Sequence, residues 1–112
     1  MSKNRTELVN DTLELLIVKE IGQAADDEDY TIADNQVDGL IDELSIREVC
    51  PDIDVTEIDN VLFPYVSILL KNRIAPKFGV PADPAEILMA ENKLREISEP
   101  DILSAPLQVD YF

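Results

Sequence analysis

The stretch Val61–Ser98 reads VLFPYVSILLKNRIAPKFGVPADPAEILMAENKLREIS, and its reading decides the fold. It is the most apolar part of the chain and contains two clear pieces of punctuation. Pro64 fits the first turn of a helix, where a missing N–H costs nothing, so a helix is expected from about Phe63 to Ala75. Ile74-Ala75-Pro76 stops it. Tyr65, Val66, Ile68, Leu69, Leu70 and Ile74 cover most of the circumference of that helix, and an element apolar all round belongs at the centre of its fold. Asp83-Pro84, with Glu86 three residues after the aspartate, then starts another helix. Aspartate suits the N-cap, proline the first position and glutamate the third. Ile87, Ala90, Leu94 and Ile97 form its core stripe; Met89, Glu91, Lys93 and Arg95 lie off it. That helix ends near Ser98, before Pro100.

Outward from this hairpin, the chain before it supplies two more helices. Val9, Leu13, Leu16, Ile17 and Ile21 recur at helical spacing from a cap at Thr6, and Gly22 suits the stop, which predicts a helix over about Thr6–Ile21. Met1–Arg5 reads as a frayed start. Gln23–Tyr30 reads as a loop holding Asp26-Asp27-Glu28-Asp29. Four adjacent carboxylates raise calcium, but their spacing lacks the alternation, the glycine and the distant glutamate of an EF-hand, so a solvated acidic loop is expected. A second helix is predicted from Thr31 to about Glu48, with Ala33, Val37, Leu40, Ile41 and Leu44 as its stripe. Gly39 inside it reads as a close helix–helix contact. Pro51 forces the preceding residue out of helical geometry. The segment Val55–Leu62 is expected to be a turn.

The 112 residues fit one domain: an all-α bundle of about four helices over residues 1–98, followed by an extended arm, 99–112. The arm, EPDILSAPLQVDYF, contains Pro100 and Pro106, which discourage helix, yet it is rich in apolar groups. Leu107, Val109 and Tyr111 alternate with polar residues as in a strand. Leu103, Leu107, Val109, Tyr111 and Phe112 are therefore the expected docking residues, either folding back on their own domain or, the favoured reading, adding to a groove or sheet edge of a partner.

Charge narrows the classes of function. Nine basic residues stand against 24 acidic ones, a formal net charge of −15. Thr6–Asp59 carries 17 acids and two bases, whereas Asn60–Phe112 carries seven acids and five bases. A protein that grips nucleic acid or an anionic membrane needs the opposite sign. No apolar run is long enough for a transmembrane helix, and no signal core follows the basic N-terminus, so synthesis in a cytoplasm is expected. With no histidine and the single Cys50, a histidine-based triad, a Cys/His zinc site and an intrachain disulfide are excluded. Cys50 reads as a small buried hydrophobe. No Gly-rich phosphate loop is present, so no catalytic, cofactor or metal site is expected. The basic end of the third helix, Lys71, Arg73 and Lys77, has two readings: cations suiting the negative end of the helix dipole, or subunit contacts with acids of a neighbouring copy.

Asn72-Arg73-Ile74-Ala75-Pro76-Lys77-Phe78-Gly79, followed by Asp83-Pro84 and a short helix, resembles the head–tail adaptor proteins of tailed bacteriophages. Within these it is most similar to the tail accessory, or packaged-DNA stabilisation, family of short-tailed phages. The first helix ending in Gly22 and the run Gln36–Leu44 are compatible with that pattern. The chain departs from it at Ser45–Val49, where members often carry a tryptophan, and at Ile68–Asn72, where they often carry Asn-Leu-Ala. The resemblance implies a virion protein without enzymatic activity, at the portal vertex. It implies a ring of twelve copies below the portal protein, bound through the C-terminal arm. Such a ring extends the DNA channel, retains the packaged genome and presents a platform to the next tail component. Acidic faces would let DNA slide through without sequence recognition. An acidic DNA mimic that inhibits a DNA-binding protein is the alternative; a transcriptional or antitoxin regulator lacks a basic recognition helix.

Overall fold

The computed structural model describes residues 2–17, 22–23, 26–50 and 53–98. They form four α-helices and one short two-stranded ladder: β1 (Ser2–Lys3), α1 (Arg5–Leu15), α2 (Asp27–Ile46), β2 (Ile58–Asp59), α3 (Phe63–Ile74), a 3₁₀ turn (Ala75–Phe78) and α4 (Pro84–Ser98). The small all-α bundle expected from sequence is what forms. The arm residues Leu103, Leu107, Val109, Tyr111 and Phe112 lie outside the described residues.

Helix α3 is the hub. It packs against α1, α2 and α4. Phe63, Val66, Leu69, Leu70 and Ile74 are all buried, and each fully buried side chain of this size contributes roughly 1.5–3 kcal/mol by leaving water. Leu8, Val9 and Leu13 of α1, and Ala33, Val37, Leu40 and Leu44 of α2, complete the core. Ala90 and Leu94 bring α4 onto it, with Ile87 partly buried beside them.

Three boundaries differ from the sequence expectation. The cap of α1 is Asn4, not Thr6. The Asn4 side chain accepts from the Glu7 N–H at 2.9 Å, and the Glu7 carboxylate accepts from the Asn4 N–H at 3.0 Å, a reciprocal capping box. The helix ends at Leu15 rather than Ile21, because Ile17 turns left-handed at φ 60°. A β-branched residue there is strained by about 1–2 kcal/mol, and the Ile17 side chain is 89% exposed instead of joining the core. Helix α2 begins at Asp27, not Thr31. Asp26 caps it by accepting from the Glu28 N–H at 2.9 Å, and Asp27, Glu28 and Asp29 fill the first turn. The expected acidic loop is thus a helix start, where the positive end of the dipole stabilises carboxylates.

The N-terminal residues are also held in place. Ser2 and Lys3 pair antiparallel with Asp59 and Ile58, and the Lys3 ammonium sits 5.1 Å from the centre of the Phe63 ring. Arg5 bonds Asp34 and Asp38, each at 2.7 Å, and donates to the Asp34 carbonyl at 2.9 Å. These contacts tie the start of α1 to α2 and raise the Arg5 pKa further above its ordinary value, chiefly through the hydrogen bond to Asp38 and then that to Asp34. Helices α3 and α4 start where the prolines and Asp83 indicate: Asp83 accepts from the Ala85 N–H at 3.0 Å and the Glu86 N–H at 3.4 Å.

Candidate functional site

The residues that carry the adaptor resemblance converge on one junction at the end of α3. Asn72 is buried. Its side-chain oxygen accepts from the Asp83 N–H at 2.7 Å, and its amide nitrogen donates to the Ile68 carbonyl at 2.9 Å and to the Glu86 carboxylate at 3.1 Å. One side chain therefore fixes the start of α4 against the end of α3. Lys71 reinforces this by bonding both oxygens of Glu86, at 2.9 and 3.3 Å. The Glu86 carboxyl is held below its ordinary range by Lys71 first and Asn72 second.

Arg73 points the other way, across α2. It donates to the Gln36 side-chain oxygen at 3.1 Å and to Glu43 at 2.7 Å. Gly39 lies between those two residues on the same helix face. A Cβ added at Gly39 would stand 2.9 Å from a guanidinium nitrogen of Arg73. The glycine expected to mark a close helix–helix contact does so between α2 and α3, by making room for the Arg73 side chain. Only a tertiary contact reveals this.

The network continues from Glu43 to α4. Arg47 donates to Glu43 at 3.1 Å and to the two oxygens of Glu91 at 2.7 and 3.0 Å. Glu91 was expected off the core stripe, yet it is only 7% exposed. A carboxylate at that depth needs the forked partner that Arg47 provides. Glu91 raises the Arg47 pKa, with a smaller contribution from Glu43. The Glu43 carboxyl is lowered, by Arg73 chiefly and Arg47 less, against the opposing effect of burial.

The remaining residues of the block end the helix. Ile74 and Ala75 are buried. Pro76 takes the second position of the 3₁₀ turn, and Gly79 closes it at φ 78°, its N–H reaching the Pro76 carbonyl at 3.2 Å. Of the three cations raised as subunit contacts, Lys71 and Arg73 pair with acids of their own chain. Lys77 is exposed and makes no ion pair among the described residues.

A cleft of about 170 Å³ opens between α2, α3 and α4 beside this network, floored by Leu40, Leu44, Leu69 and Ile87 with Glu43 and Arg73 at its edge. That is below the ~300 Å³ at which small-molecule sites begin, and its charged groups already satisfy one another. Among the described residues, no group of three or more potential metal ligands converges, and no helix is long and apolar enough to cross a membrane. Cys50 is buried, which raises its thiol pKa, and the Ser98 hydroxyl donates to its sulfur at 3.2 Å. The junction is thus a structural clasp joining α2, α3 and α4.

No family model, curated protein or solved structure matches the chain.

Proposed function

We propose that the chain is a structural virion protein of a tailed bacteriophage, a head-to-tail adaptor without catalytic activity. In this reading, copies assemble as a ring beneath the portal, extend the DNA channel, retain packaged DNA and give the next tail component its platform. The observation that carries the reading is the clasp. The block that resembles the adaptor family, Asn72–Gly79, uses Asn72 and Arg73 to lock α4 and α2 onto the central helix. A rigid junction suits a subunit that is gripped from two sides.

The charge distribution supports the same reading. Arg5, Arg47, Lys71 and Arg73 are all engaged by acids of their own chain. Asp27, Glu28, Asp38 and Asp42 are exposed along α2. Such a surface offers phosphate no counterion replacement, so DNA passes it without binding. The twelvefold count, the portal contact and the role of the arm come from the family resemblance.

The test is a binding assay between the full chain and the portal ring of the same virion. The full chain should co-sediment with portal rings. Deleting Ala105–Phe112 should abolish this while leaving the helical circular dichroism signal unchanged. Unaltered binding after the deletion removes the arm from the mechanism. The exposed acids of α2 also suit a DNA mimic. In that case the chain should instead bind a DNA-binding enzyme, with affinity falling steeply as salt rises.

A further inference from the structure

Two outward helix faces carry complementary features with no partner among the described residues. On α4, Leu88 is 58% and Met89 41% exposed. Lys93, one turn beyond Met89, is exposed and has no ion pair among the described residues. On α2, Ile46 is 80% exposed. Asp42, one turn before it, is exposed and likewise unpaired. Each face therefore presents a large apolar group and a charge separated by about 6 Å of helix, and the two charges are of opposite sign. Laid antiparallel, the faces place Lys93 on Asp42 and Met89 on Ile46 in a single register.

We propose that these faces form a contact between two copies of this chain, α4 of one against the end of α2 of the next. A second copy is the occupant that the charges favour. Lys71 and Arg73 are already satisfied internally and Lys77 lies on the 3₁₀ turn; of the two cations on α4, Arg95 is half-buried and Lys93 is exposed, so Lys93 is the cation that α4 presents outward beside Met89. Between two like-charged chains, a cation of one set against an acid of the other relieves the repulsion, and apolar groups are removed from water at the same place. The proposal deepens the ring reading by naming its subunit faces, and it rests on that reading for the contact's repetition around a ring.

Directed disulfide formation in the full chain tests it. In a Cys50→Ser background, chains carrying Ile46→Cys are mixed with chains carrying Met89→Cys and oxidised mildly. The mixed disulfide dimer should form about tenfold faster than a control pairing of Met89→Cys with Glu57→Cys, because a specific contact raises the local concentration of the two thiols. Adding Lys93→Glu to the Met89→Cys chain should slow the bond about fivefold, and adding Asp42→Lys to the Ile46→Cys chain should then restore it. A rate no greater than the control, or indifference to both charge reversals, overturns the contact. Portal binding is measured separately on the unmodified chain. Binding to portal rings without the Ile46–Met89 bond would leave the adaptor reading standing and refute the contact. The bond without portal binding would support the contact and refute the adaptor reading.

Discussion

Removing Arg47 should destabilise the fold more than removing the acid it serves. Glu91 has a side chain only 10% exposed and receives two hydrogen bonds from Arg47, at 2.7 and 3.0 Å. Arg47→Ala leaves that carboxylate without a partner. Breaking a fully buried pair from one side costs about 3–5 kcal/mol. The Arg47 side chain is itself 42% exposed, so water enters when it is removed, and the expected cost falls to about 2–3 kcal/mol. Glu91→Ala is milder. Arg47 keeps Glu43 at 3.1 Å and reaches solvent, and alanine favours the helix, so about 0.5–1 kcal/mol is expected. Replacing both, as Arg47→Ala with Glu91→Met, puts an apolar group where the carboxylate was and should recover at least about 1 kcal/mol relative to Arg47→Ala alone. Urea unfolding of the full chain, followed by circular dichroism, measures all three. Equal costs for the two single variants, or no recovery in the double variant, would refute the claim that a buried acid is held by a half-exposed base.

Asn72→Ala should cost about 2–3 kcal/mol, because it strands the Asp83 N–H and frees the start of α4; hydrogen exchange should show the loss of protection concentrated at Asp83–Ile87. Ser67 is buried and its hydroxyl has no hydrogen-bond partner among the described residues. Ser67→Ala should therefore be neutral or stabilising by up to about 1 kcal/mol, read as an unchanged or higher melting temperature. Glu43 is held below its ordinary value of 4.5, so its stabilisation is complete above that pH and is lost as pH falls through the lowered value. The stability gap between the native chain and Arg73→Met should be constant from neutral pH to about 5 and should narrow below 4.5; a gap that widens in acid would contradict the pairing.

The sequence was most legible where a local signal and the global pattern agree. Pro64 and Asp83-Pro84 mark the starts of α3 and α4 because caps act within four residues. The all-round apolar character of α3 identified it as central because burial must follow hydrophobicity. Legibility failed where two local signals compete. The run Asp26–Asp29 has the density of a solvated loop, but its acids are also what a helix N-terminus attracts, and the dipole prevailed. Asn4 and Glu7 spell a capping box that the neighbouring Thr6 obscured. The helical period beyond Leu15 continues to Ile21, yet the chain turns left-handed at Ile17; no residue type announces that turn. Two features of the clasp have partners that no local signal names. Gly39 is explained only by a guanidinium arriving from α3, and Glu91 only by an arginine arriving from α2. Lys71 and Arg73 stand out in sequence as a basic helix end, and the structure pairs both within their own chain. The separation between helix-end chemistry and an interface depends on where acids 15 and 30 residues away fold back.

Electron cryomicroscopy of the native particle tests the adaptor assignment most directly. A ring of copies of this chain is expected immediately below the portal, each with α3 at its centre. Particles with a complete head–tail junction in which no density fits this four-helix subunit would contradict it.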